Sequence, residues 1–142
     1  MKVDTTIDLP ISAYIPDEAF SSDIEKIHFY RELESVRSED ELMEVIEPLK
    51  TRIDVKQSAV DHLFLLIRAR LRLSSLGIRR VHMQLGKYTL EWGGEGEKTL
   101  EAMKELLKKD TKQCAEVMSG KKICYSRKAF QNHGDFLRYF VS

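Results

Sequence analysis

The segment Gly93-Gly94-Glu95-Gly96-Glu97-Lys98-Thr99 stands between a strand-like run and a helix-like run, a setting in which backbone amides cradle phosphates. The spacing does not fit. A phosphate loop needs glycine immediately before the lysine and again five residues earlier, and those positions hold Glu97 and Trp92. The loop carboxylates Glu95 and Glu97 also repel a triphosphate, so the segment reads as a flexible turn. His28, His62, His82 and His133 form no i, i+4 pair and have no cysteine pair beside them, so the sequence gives no metal site and no cofactor is expected. A catalytic Ser or Cys needs a base and an orienting group close in space, and no motif signals them. An unrecognised enzyme is the last of the readings.

Cys114 and Cys124 are placed on neighbouring strands of a hairpin that turns near Ser119-Gly120. A two-residue loop puts them on opposite faces and a three-residue loop on the same face. Both read as ordinary reduced thiols. The one basic cluster is Arg68, Arg70, Arg72, Arg79 and Arg80. On a helix Arg70 lies about 160° from Arg72, so the set makes no single stripe and reads as solvated or salt-bridged.

The elements that position these residues can be traced from the punctuation of the chain. Ile7 to Ile15 reads as extended, since Pro10 and Pro16 push their predecessors toward the β region. Ser22 with Glu25, and Ser38 with Glu41, have capping-box spacing and open two helices. Pro48 falls inside the second of these and predicts a kink or break. Gln57 to Leu76 is the strongest helix, with Val60, Leu63, Phe64, Ile67 and Leu71 on one face and Leu65, Leu66, Ala69, Leu73 and Leu76 on another. A helix apolar on most sides belongs in a core or at a docking surface. Gly77 caps it, and Val81, Met83 and Leu85 then alternate, Gly86-Lys87 turns, and Tyr88, Leu90 and Trp92 alternate again. Lys98 to Lys109 is amphipathic, with Leu100, Met103 and Leu107 as its expected buried stripe. A second hairpin, Gln113 to Met118 and Lys122 to Arg127, leads to a terminal helix near Phe130 to Val141. Turns this short do not permit parallel crossovers, so the expected fold is α+β, an antiparallel sheet built from hairpins and packed against several helices.

A chain of 142 residues fits one domain able to fold without metal or disulfides. Its 23 Lys and Arg balance 23 Asp and Glu, which gives no global pull toward nucleic acid or an anionic membrane. No apolar run approaches the roughly 20 residues that span a bilayer, and the stretch from Met1 to Thr6 lacks the apolar centre of a signal peptide, so a cytoplasmic setting is expected.

The wording Ala13-Tyr14-Ile15-Pro16-Asp17, followed by Lys26-Ile27 and then Phe29-Tyr30-Arg31, resembles the C-terminal domain of the bacterial transcription-repair coupling factor, Mfd. There, an Ala-Tyr-Ile-Pro-Asp stretch leads to a helix ending Leu-Tyr-Arg-Arg, matched by Tyr14, Ile15, Pro16, Asp17, Lys26, Tyr30 and Arg31, which we take as structural. Asp40-Glu41-Leu42 matches an acidic Glu-Glu-Leu signature, and Leu73 to Ile78 is similar to the family's Leu-x-x-x-x-Leu-Gly-Ile. Of the motif Glu-Leu-Ile-Asp-Arg-Phe-Gly, which a Leu-Pro pair follows in the family, Leu49 and Arg52 remain. Pro48 stands for its Glu, Thr51 for its Asp, Ile53 for its Phe, Asp54 for its Gly and Gln57 for the later Pro.

The resemblance implies that residues 1–142 form a single non-catalytic regulatory domain, a fragment of an ATP-driven DNA translocase. It implies docking on the UvrB-like module of the same parent, which masks UvrA recruitment and links the domain indirectly to RNA polymerase. The candidate interface is Pro48, Leu49, Thr51, Arg52 and Ile53, and no cofactor, membrane or direct DNA contact is implied. Loss of the family's two acids at this rim is worth ~0.5 to 2 kcal/mol of contact if they are exposed and more if desolvated, which retunes a clamp without abolishing it. The alternative reading is a nucleic-acid-binding domain that uses the sheet face, with Tyr88 and Trp92, and the arginine cluster.

Overall fold

A computed structural model describes residues 3–94 and 96–141. Met1 and Lys2, which open the leader reading, Glu95 of the glycine-rich turn, and Ser142 lie outside the described residues. The fold is α+β, with five α-helices and a five-stranded, mostly antiparallel sheet among the described residues. It gathers into two compact units, one formed by Ile11–Leu71 and the other by the residues before Ile11 together with those from Arg72 on.

The first unit is helical. Helix α1 (Asp23–Ser35) starts where expected: the Ser22 hydroxyl accepts from the Glu25 amide at 3.1 Å, and the Glu25 carboxylate accepts from the Ser21 amide at 2.8 Å. Helix α2 (Glu39–Ile46) repeats the device, Ser38 accepting from the Glu41 amide at 3.1 Å and Glu41 from the Arg37 amide at 2.7 Å. The break predicted at Pro48 is present, for α2 ends at Ile46 and a 3-10 turn, Glu47–Leu49, carries the proline in its first turn. Helix α3 (Ser58–Ser75) buries Val60, Leu63 and Phe64 of one expected strip and Leu65, Ala69 and Leu73 of the other, while Leu66, Ile67 and Leu71 are half-buried. The core of this unit joins Ile15, Phe29, Leu33, Leu42, Ile46 and Leu49 to the first strip of α3.

The second unit carries the sheet, in the order β1 (Thr6–Asp8), β2 (Ile78–Gln84), β3 (Lys87–Trp92), β5 (Lys122–Ser126), β4 (Ala115–Met118). Both hairpins are present, whereas the long extended reading of Ile7 to Ile15 shortens to three strand residues that pair in parallel with β2, Ile7 opposite Val81. In the first hairpin the turn is Leu85-Gly86, not Gly86-Lys87: Gln84 pairs with Lys87, and Leu85 and Gly86 have φ of 51° and 74°. Two left-handed residues match the right-handed twist of the flanking strands, and Leu85 is thereby 94% exposed instead of extending the alternation. The second hairpin has the three-residue loop, with Met118 opposite Lys122 and Cys124 opposite Glu116. Both cysteines are free, Cys124 buried and Cys114 half-buried.

Val81, Tyr88, Leu90, Ile123 and Tyr125 form the buried side of this sheet, and helix α5 (His133–Val141) closes on it with Phe136 stacked 3.8 Å from Tyr88. Helix α4 (Glu97–Lys108) buries Thr99, Ala102, Met103 and Leu106. The expected stripe of Leu100, Met103 and Leu107 is therefore wrong at two of its three positions, Leu100 and Leu107 being 57% and 38% exposed. Thr99, Ala102 and Leu106 each stand one position before a residue of the expected stripe, a rotation of about 100° that turns Leu100 and Leu107 outward.

Candidate docking surface

Within the helical unit the Tyr14–Asp17 stretch is fastened by three contacts, one to α3 and two to α1. The Tyr14 amide donates to the Ala59 carbonyl at 3.1 Å, Ile15 is 1% exposed and its amide donates to the Tyr30 hydroxyl at 2.9 Å, and the Lys26 ammonium donates to Asp17 at 2.6 Å. Pro16 sets the 3-10 turn Asp17–Ala19 that aims Asp17 at Lys26. Hydrogen bonding to the Asp17 carboxylate raises the Lys26 pKa. Tyr14 keeps its side chain half exposed and Arg31 is exposed. The motif residues Ile15, Pro16, Asp17, Lys26 and Tyr30 are thus brought together as one brace.

The segment after α2 divides by depth. Leu49 is buried and Ile53 packs half-buried against the same core, while Pro48, Lys50, Thr51 and Arg52 are exposed. Backbone bonds from the amides of Arg52 and Ile53 to the Leu49 carbonyl, at 2.9 and 3.1 Å, hold the segment as a tight turn. Arg52 reaches the Ala19 carbonyl at 3.3 Å and Glu25 at 2.9 Å, so it ties this turn to α1 as well as facing solvent. The Glu25 carboxyl is held below the usual range by the Ser21 amide first and by Arg52 after it. The sequence reading found Glu25 only as a cap. Its pairing with Arg52 spans 27 residues, and no local pattern signals it.

Charge is distributed unevenly between the units. Residues 11–71 carry 13 Asp and Glu against 8 Lys and Arg, whereas the remaining sequence carries 10 against 15. The neutral total conceals an acidic helical unit and a basic sheet unit.

The features proposed for nucleic-acid contact are turned to other uses. Tyr88 is fully buried and Trp92 is 5% exposed, its indole donating to the Leu76 carbonyl at 2.8 Å, so neither ring is free to stack on a base. In the helical unit Arg68 pairs with Glu39 at 2.8 Å, and Arg70 donates to the carbonyls of Leu33 and Val36 that end α1. In the sheet unit Arg72 pairs with Glu105 at 2.9 Å, Arg80 with Asp8 at 3.4 Å and Arg79 with Glu91 at 3.8 Å. Four of the five arginines are thus ion-paired, as the solvated or salt-bridged reading expects, and Arg70 is spent on carbonyls. On the opposite side of the sheet from Tyr88, Glu91 also meets His82 at 3.3 Å and Lys122 at 3.4 Å; burial raises its pKa, and those two partners outweigh it and hold the carboxyl low.

Among the described residues no group of three or more His, Cys, Asp or Glu is placed to hold a metal ion, and no helix is long and apolar enough to cross a membrane. A shallow hollow of about 580 Å³ lies along Asp23, Lys26, Ile27, Tyr30, Arg31 and Glu34 of α1. A second, of about 50 Å³, is bordered by Arg72, Lys109, Tyr125 and Tyr139, and the buried Tyr125 hydroxyl has no hydrogen-bond partner. Neither joins a nucleophile to a base.

Fold and surface together define an α+β domain of ion-paired, mixed-charge exterior. The profile of the TRCF domain matches residues 9–103, and the chain belongs to that family, the one to which the wording of Tyr14–Asp17 and Lys26–Arg31 points. No curated protein matches the chain. Among solved structures, the crystal structure of the C-terminal domain of transcription-repair coupling factor is similar at a TM-score of 0.74. The likeness covers 99% of this chain and 88% of that chain at 20% identity, and it shows the shared fold.

Proposed function

We propose that this chain is a non-catalytic regulatory domain of a transcription-repair coupling factor, working inside the cell by docking on the UvrB-like module of its own parent. In this reading it covers the surface that recruits UvrA and restrains the motor until RNA polymerase is engaged. The observation that carries the reading is membership of the TRCF domain family across residues 9–103, with the turn at Pro48, Thr51 and Arg52 exposed inside that span. Leu49 and Ile53 anchor the turn from below, and the contact falls to the outward side chains. With Pro48 and Thr51 in place of the family's acids, the contact depends little on salt.

Calorimetric titration of this chain into the separately produced UvrB-like module of the same parent tests the proposal. Micromolar or tighter binding is expected, weakened about tenfold or more by Thr51→Trp, which adds bulk at the rim and leaves the buried anchors in place. Absence of heat at any salt concentration overturns the proposal, as does binding indifferent to substitution along the turn.

A further inference from the structure

We infer that the outer face of α4 pairs with the same face of a second copy of this chain, the two helices running antiparallel. The inference is independent of the docking proposed above and rests on the order of side chains along one helix. Leu100 and Leu107 are both exposed and lie seven residues apart, two turns along a single stripe. Beside that stripe the exposed side chains run Glu97, Glu101, Lys104, Lys108, acidic in the first half of the helix and basic in the second. These four form no ion pair among the described residues.

A two-fold axis normal to the plane of two antiparallel helices keeps the charged flanks on one side of the pair and reverses their order. Leu100 of one copy then meets Leu107 of the other, and Glu97 and Glu101 run beside Lys108 and Lys104 of the second copy. Parallel pairing, whose two-fold runs along the helices, puts the two flanks on opposite sides of the pair where they do not meet, so the single charged flank favours the antiparallel arrangement. A uniformly acidic or uniformly basic partner satisfies only half of the flank. One face of a 12-residue helix buries less than a standard interface, so association is weak and is seen at hundreds of micromolar.

Sedimentation equilibrium on the whole chain, from about 10 µM to 1 mM at low salt, provides the test. A reversible monomer–dimer equilibrium is expected. Glu97→Lys with Glu101→Lys makes the flank wholly basic, Lys104→Glu with Lys108→Glu makes it wholly acidic, and each pair of changes weakens self-association about tenfold or more. Mixing the two variants restores a dimer, and so does the chain carrying all four changes, because its flank is again half and half. Far-UV circular dichroism confirms that α4 persists, and Leu100→Ser with Leu107→Ser removes the stripe without touching the buried face. A monomer at every concentration, a dimer indifferent to these changes, or a mixture that stays monomeric overturns the pairing. Stronger self-association after Glu97→Lys with Glu101→Lys overturns it equally.

Discussion

Asp110, between α4 and β4, shows how one side chain organises a connection. Its carboxylate accepts from the Ala115 amide at 2.8 Å and from the Tyr139 hydroxyl at 3.0 Å, and the Cys114 thiol points to it at 3.8 Å. Burial pushes its pKa up, and these hydrogen bonds outweigh burial and hold the carboxyl below its ordinary 3.8. Between the lowered folded value and 3.8 the unfolded chain therefore binds more protons than the folded one. The stability contributed by the ionised group is present above 3.8 and is lost as pH falls through the folded value. Asp110→Asn is expected to cost about 1–3 kcal/mol at pH near 7, and the gap to the parent chain narrows in acid. Urea unfolding of both chains at neutral pH and near pH 3 measures this. An equal gap at both pH values removes the charge from the explanation.

Among elements, the brace between the extended entry segment and α1 hangs on one hydroxyl. The Ile15 amide lies beside a buried side chain and has the Tyr30 oxygen as its acceptor, while the Tyr30 ring packs edge-on to Phe29. Tyr30→Phe keeps the ring, orphans the amide, and is expected to lower stability by about 1–2 kcal/mol with faster hydrogen exchange at Ile15. Unchanged exchange at that amide assigns the brace to packing alone. Such contacts mark the limit of what the chain discloses. Capping boxes at Ser22 and Ser38, the break at Pro48 and both hairpins are written locally, in residues two to four apart, and can be read. The three-residue β1 gains its place from pairing with β2 more than 70 residues away, which no window contains. In α4 two helical stripes compete, Leu100-Met103-Leu107 and Thr99-Ala102-Leu106, and apolar content favours the first. The fold buries the second, together with Met103. The candidate turn was legible as a motif position, whereas the Arg52–Glu25 tie that shapes it was not.

For the whole molecule, zero net charge is the sum of an acidic helical unit and a basic sheet unit, and that sum alone does not predict how DNA is met. An excess of 15 Lys and Arg over 10 Asp and Glu gives the sheet unit a diffuse attraction for phosphates. The groups that could turn attraction into a site are committed elsewhere: Tyr88 and Trp92 to the core, Arg72, Arg79 and Arg80 to carboxylates. Diffuse attraction between exposed charges is screened within about 8 Å at physiological ionic strength. Fluorescence anisotropy with a labelled duplex and a labelled single strand is therefore expected to show weak binding near 20 mM salt that vanishes by about 150 mM, with no preference between the two strands. Because diffuse attraction follows net charge and no single group, Arg80→Ala, which leaves Asp8 unpaired, is expected to weaken the low-salt signal only by the one charge it removes, no more than loss of any other cation of the unit. Binding that survives about 150 mM salt, or that favours the single strand, requires exposed stacking surfaces, which these buried rings do not offer, and restores the nucleic-acid reading in place of the regulatory one.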